Sequence, residues 1–214
     1  MLFDLTQPLS EEMSLYPATE APQFAPCRTL AADGYRERLL RLTSHTGTHM
    51  DAPAHLLPQG RTLDSYGVER FCGTALVLDC RDIGQGGTIP LSRLQADDRI
   101  QQVDYVLFYT NWSRFWGQAA YLHGFPTLSE EAAQYLAALP LKGIGVDALS
   151  VDPVESETFP VHKTLLRSGM LLVENLGRLG ELAGQVVWFS ALPLPIKEAD
   201  GAPVRAIAIT EGEC

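Results

Sequence analysis

Ser44-His45-Thr46-Gly47-Thr48-His49-Met50-Asp51-Ala52-Pro53-Ala54-His55 places three of the chain's five histidines within eleven residues, with an aspartate two positions after the second. Neutral imidazole and carboxylate are the ligands that borderline divalent metals such as zinc prefer. A single histidine is usually a satisfied polar group. A His-x3-His-x-Asp-x3-His cluster is harder to explain as packing, because solvated loops do not need three imidazoles and cores avoid them. The stretch therefore predicts a metal site. His45 and His49 are spaced to share a helix face, but Gly47 and the two threonines cost helix stability. Pro53 also biases Ala52 toward extended angles. The expectation is a tight loop after a strand, with Gly47 letting the backbone bend closely around an ion. His49 and Asp51 alternate as in an extended segment and point the same way. His55 follows the proline and falls outside the immediate ligand set.

On either side, the chain reads as strands with few helices. Residues 1–8 alternate apolar and polar and open the chain as a strand. A proline-rich loop from Pro8 through Tyr16-Pro17 and several further prolines cannot be helix and is a candidate pocket wall. Residues 36–43 read as the strand leading into the histidine loop. Residues 74–79 and 104–110 are continuous apolar runs of strand length, as expected for strands buried on both faces. A short helix is expected at 90–94. Thr127-Leu128-Ser129-Glu130 fits a capping box before a helix over 132–139 that Pro140 ends. Residues 143–147 form a short buried strand, His162 to Arg167 a helix stopped by Gly169, and 170–175, 186–190 and 204–210 the remaining strands. Strands alternating with few helices imply a mixed α/β or α+β fold.

Composition bounds the function. The 214 residues suit one domain, 1–214, with a sizeable core. Net charge is −10 and the pI about 4.9, so nucleic acid and anionic membrane are poor partners. The N-terminus lacks the basic and apolar regions of a signal peptide, and no stretch is apolar enough to span a bilayer. Cys27, Cys72, Cys80 and Cys214 form no Cys-x-x-Cys, which fits reduced thiols in a cytoplasmic protein.

Two distant residues look like further ligands. Glu174 ends a strand whose preceding residues, Met170 to Val173, are all apolar, and a buried carboxylate needs a partner. His162 begins a helix in the second half. The histidine stretch resembles the signature of the cyclase-family metal hydrolases, which include the bacterial kynurenine formamidases and the isatin hydrolases. The resemblance extends to Gly145-Val146-Asp147-Ala148-Leu149-Ser150-Val151-Asp152, similar to the family's Gly-x-Asp-x-x-Ser-x-Asp segment, and to Leu172-Val173-Glu174-Asn175-Leu176. It implies a swivelling β/β/α-type fold, a homodimer or homotetramer, and a site near a subunit interface. It further implies His45, His49 and Asp51 on one metal, Asp51 bridging to a second metal held by His162 and Glu174, and His55 as the catalytic acid–base. Zinc or manganese is expected, as one or two ions per subunit.

Such an ion lowers the pKa of bound water to about 7 and stabilises the oxyanion of a cleaved carbonyl compound. An imidazole titrating near 6.5 can pass the proton to the leaving group. His55 suits that role because it sits beside the cluster without completing it. Trp112 and Phe115 are candidate pocket walls. The expected activity is hydrolysis of an amide C–N bond in a small molecule, with an aryl formamide such as N-formylkynurenine the leading substrate. The alternatives are lactone or lactam hydrolysis, or a cyclase or lyase reaction on the same centre. The kynurenine formamidases that the chain resembles carry a substrate-stacking tryptophan where this chain has Tyr16, and often an alanine where it has Thr48. A non-catalytic metal module is disfavoured, since structural zinc sites are closed and commonly cysteine-rich.

Overall fold

The computed structural model describes residues 1–210; Cys214 lies outside them. The elements in order are β1 (Leu2–Asp4), β2 (Gln23–Arg28), α1 (Leu30–Asp33), β3 (Glu37–Arg41), β4 (His49–Asp51), β5 (Cys72–Asp79), β6 (Thr88–Ile89) and α2 (Leu91–Gln95). They continue with β7 (Tyr105–Tyr109), β8 (Thr127–Leu128), α3 (Glu130–Ala137), β9 (Gly143–Val146), α4 (Pro160–Arg167), β10 (Leu171–Glu174), β11 (Val186–Pro193) and β12 (Gly201–Ile209). Several short 3-10 turns link them. The fold is mixed α+β, as the sequence predicts.

Eight strands form one mixed sheet in the order β1-β12-β11-β5-β7-β9-β10-β4, and a further pairing of β4 with β12 closes it into a barrel. The four strands β5, β7, β9 and β10 are mutually parallel. Their unbroken apolar sequences follow from burial on both faces. Ala75 and Val77 of β5, Tyr105 and Leu107 of β7, and Leu171 and Val173 of β10 face a core shared with Met50, Phe189, Ala202, Ala206 and Ala208. The alternate residues Leu76, Leu78, Val106, Phe108 and Leu172 pack under Leu94, Leu136, Leu165 and Leu166 of the helices. β11 is covered on one face only, so buried Val187 and Phe189 alternate with exposed Val186 and Trp188.

Two local readings shift. The N-cap of α3 is Ser129, whose hydroxyl accepts from the Ala132 amide, so the helix begins earlier than expected. Thr127 is not the cap because it pairs with Thr88 in the two-residue parallel ladder of β6 and β8. The proline-containing segment 23–28 is a strand that the sequence reading left as loop. Among the described residues no helix is long and apolar enough to cross a membrane.

Asp147, just after β9, is fully buried. Its Oδ1 accepts from the Thr110 amide at 2.9 Å and the Thr110 hydroxyl at 2.5 Å, while Oδ2 has no partner among the described residues. Burial outweighs these bonds and pushes the carboxyl up from 3.8 to about 6. Between those two values the folded chain holds a proton that the unfolded chain has released. Stability therefore falls as pH rises through that window, by an amount on the order of 3 kcal/mol for about two pH units. Asp147→Asn is expected to remove this component. Urea unfolding at several pH values from about 4 to 7 checks it: the variant should gain on wild type as pH rises, and parallel curves would refute it.

Candidate metal centre

The antiparallel register of β10 with β4 sets Glu174 directly opposite His49, and Leu172 opposite Asp51. Directly opposed residues share a sheet face, as do positions two apart in a strand. His49, Asp51 and Glu174 are therefore brought together by backbone geometry alone. His49 Nε2 lies 3.2 Å from Asp51 Oδ1 and 3.5 Å from Glu174 Oε2. His45 enters from the preceding loop, where Gly47 has a φ of +65° under the Leu9 side chain. His45 Nδ1 lies 2.7 Å from Asp51 Oδ1. Gly201 leaves room for that ring, since a Cβ there would stand 2.5 Å from its Cε1.

His162 is the third residue of α4 rather than its first. Asp152 accepts from the Val161 amide at 3.1 Å, the His162 amide at 2.9 Å and His162 Nδ1 at 2.6 Å. One carboxylate thus caps the helix and fixes the ring. His162 Nε2 then faces Glu174 Oε1 at 3.1 Å and Asp51 Oδ2 at 3.8 Å. His49 Nδ1 donates to the Gly47 carbonyl at 2.9 Å, and the Asn175 amide donates to the same oxygen at 2.8 Å. Both histidines therefore turn Nε2 toward the carboxylates.

The donor atoms fall into groups whose members lie within 4.8 Å of one another: His45, His49 and Asp51, then Asp51, His162 and Glu174, then His45, His55 and Asp200. All five sequence-predicted ligands thus meet, and Asp51 is common to two groups. The set fits a divalent cation. Asp51, Asp152 and Glu174 are buried carboxylates, and no Lys or Arg is among the described residues lining the cavity around them. Uncompensated buried charge is costly. Imidazolium alone answers it here. Burial opposes charge on His45, but the Asp51 charge and the bonds to Asp51 and Asp200 hold it up at about 9. Burial likewise opposes charge on His162, which its bonds to Asp152 and Glu174 hold at about 10. A cation entering the site displaces those protons.

His55 closes a 3-10 turn that begins at Pro53. Its ring centroid lies 3.9 Å from that of His45, and its Nδ1 3.7 Å from Asp200 Oδ2. Asp200 also meets His45 Nε2 at 3.0 Å. The sequence reading missed Asp200, a loop acid with no periodic or motif signal around it. Burial lowers the pKa of His55, so its ring is neutral at pH 7.

These groups open into a cavity of about 460 Å³. Its walls include Leu15, Tyr16, Leu56, Leu149 and Phe159, so the proline-rich loop does line it. The Tyr16 hydroxyl donates to the Val154 carbonyl at 3.1 Å. Trp112 and Phe115 do not line the cavity. The turn at Asn111, with a φ of +62°, sends Trp112 under Ala148 and Leu149, where its indole donates to the Tyr121 carbonyl at 2.9 Å. Phe115 packs against Trp112.

Residues 3–153 match the family model described as "Putative cyclase". A curated kynurenine formamidase of Erythrobacter litoralis is 33% identical over 209 residues, covering 96% of this chain and 92% of its own. A solved structure titled a potential metal-dependent hydrolase with cyclase activity superposes with a TM-score of 0.82 at 30% identity, covering 97% and 96% of the two chains. Isatin hydrolase A from Ralstonia solanacearum superposes with a TM-score of 0.86 at 25% identity, covering 97% and 91%.

Proposed function

The chain belongs to the cyclase family of metal-dependent hydrolases, and from that footing we propose that it cleaves the C–N bond of an aryl formamide such as N-formylkynurenine. His45, His49, Asp51, His162 and Glu174 would hold zinc or manganese, as one or two ions per chain. The observation that carries this reading is the meeting of these five side chains in one cavity whose other walls are largely apolar. When bound, a divalent ion supplies Lewis acidity and lowers the pKa of a coordinated water to about 7.

The protein's own residues do the rest. Neutral His55 takes a proton from water and delivers it to the departing amine. Asp200, beside both His45 and His55, orients their rings. Asp152 holds the His162 tautomer. Leu15, Leu149, Phe159 and Tyr16 receive the aryl group and exclude water. The free thiols of Cys27, Cys72 and Cys80 suit the cytoplasm.

The Erythrobacter relative supports the formamide. Ring opening of a lactam is the second reading, favoured by the likeness to isatin hydrolase and by Tyr16 at the cavity wall. An assay of aryl formamides, isatin-type lactams and lactones with zinc- or manganese-loaded enzyme decides between them. The expected result is kcat/KM for the formamide at least about tenfold above the cyclic substrates, a difference of about 1.4 kcal/mol. The reverse order would transfer the reading to lactams, and no turnover of any would end it.

A further inference from the structure

Asp200 and His55 stand at the outer edge of the metal centre, and one residue places both. The Ala52 amide donates to the Asp200 carbonyl at 2.8 Å, and the Ala52 carbonyl accepts from the His55 amide at 2.9 Å. Asp200 is thus fixed at the end of the β4–β12 ladder, and His55 in the 3-10 turn that begins at Pro53. His55 Nδ1 lies 3.7 Å from Asp200 Oδ2. That is too far for a hydrogen bond. It is close to the spacing of two ligands on one ion, because donors about 2.1 Å from a tetrahedral zinc stand about 3.4 Å apart.

His45 supplies a third donor. Its Nδ1 faces Asp51 Oδ1 at 2.7 Å, and its Nε2 faces Asp200 Oδ2 at 3.0 Å. One ring thus presents a nitrogen to each side, Nδ1 to the five-ligand centre and Nε2 outward. The His55 ring stacks on it with centroids 3.9 Å apart, which brings both imidazoles to the same carboxylate. The donor atoms of His45, His55 and Asp200 all lie within 4.8 Å of one another.

We infer that His55, Asp200 and the outward nitrogen of His45 bind a further zinc ion, distinct from those of the five-ligand centre, and that this ion inhibits the enzyme. Two imidazoles and one carboxylate favour zinc over manganese or magnesium. Exposure makes the outer ion labile. The side chains of His45, His55 and Asp200 are 22%, 31% and 46% exposed, against 1%, 6% and 8% for Asp51, His162 and Glu174. An ion on Nε2 also displaces the second proton of His45, which weakens its binding further. The outer ion therefore leaves on dialysis while the inner ions stay. When bound, it occupies His55 Nδ1 and holds the ring, and so removes the group that carries the proton to the departing amine. The inhibition rests on the role proposed above for His55; the ion site does not.

The test starts from zinc-loaded full chain dialysed to constant metal content. Zinc chloride is then added, with uptake followed by isothermal titration calorimetry and turnover by the substrate of highest kcat/KM. Wild type should take up one further ion per chain, and turnover should fall with the same midpoint. Renewed dialysis should reverse both. Asp200→Asn should weaken the added ion at least about tenfold, since even a residue that only orients a ligand is worth about that much, and should shift the midpoint of inhibition equally. His55→Ala should weaken the added ion as much while keeping the dialysis-resistant ions. Circular dichroism checks that both variants fold. No uptake beyond the dialysis-resistant ions would overturn the proposal. So would an added ion that both folded variants bind as wild type does, because it then sits elsewhere. An added ion lost in both variants but without effect on wild-type turnover would establish the site and overturn the inhibition, and with it the role of His55.

Discussion

Asp51→Asn is expected to yield a folded protein that keeps no divalent ion through dialysis and turns over at least about 10³-fold more slowly, since Lewis-acid stabilisation of several kcal/mol is lost at 1.36 kcal/mol per tenfold. Asp51 is the member common to the group with His45 and His49 and the group with His162 and Glu174. Its Oδ1 faces His45 and His49, and its Oδ2 faces His162. Asparagine keeps the volume but removes one charge and turns one acceptor into a donor, which opposes a cation between the rings. Burial works against ionisation of Asp51, yet the adjoining His45 and His49 hold its carboxyl well below the usual carboxylate range. It is therefore an anion wherever the enzyme works. Metal content and kcat measured on one preparation, with circular dichroism to verify folding, check the prediction. Wild-type metal content in the variant would show that Asp51 is no ligand.

His55→Ala should behave differently. Turnover is expected to fall by about 10²–10⁴-fold, the usual worth of a general acid–base group, while metal content stays at the wild-type level. His55 reaches the constellation only through His45 and Asp200, and the two groups that share Asp51 are complete without it. Loss of metal in step with activity would make it a ligand instead. Full activity with full metal would leave the proton transfer to another group at the cavity.

Both predictions concern residues that the sequence exposes, and the reason is local. Three imidazoles and a carboxylate crowd into eleven positions, so their chemistry is visible without a fold. Glu174 is legible because it follows the four apolar residues Met170 to Val173, a context that a charge does not occupy without a counterpart. The parallel strands are legible because burial on both faces writes an unbroken apolar run. Asp200 is not legible: it reaches His45 across 155 residues, through a strand pairing that leaves no local trace. The β2–β3 hairpin is only half legible. The reading of 36–43 matches β3, but β2 carries Pro26 and packs against no core, so neither alternation nor an apolar run marks it. The misplaced aromatic wall has a similar cause, for the left-handed turn at Asn111 redirects Trp112 without a glycine to announce it.

The short strand β4 is held on one edge by β10 and on the other by the first residues of β12, with Gly201 opposite Asp51 and Pro203 opposite His49. These are pairings of very large sequence separation, and such contacts form late because the loop-closure entropy must be met before they reward it. The histidines emerge early during synthesis, but Asp51 acquires its second neighbouring strand only once residues 201–203 have left the ribosome. A nascent chain therefore exposes its imidazoles for most of its elongation without the enclosure that would make them selective. The donor groups around Asp51 are therefore enclosed on both edges only when β12 closes the barrel.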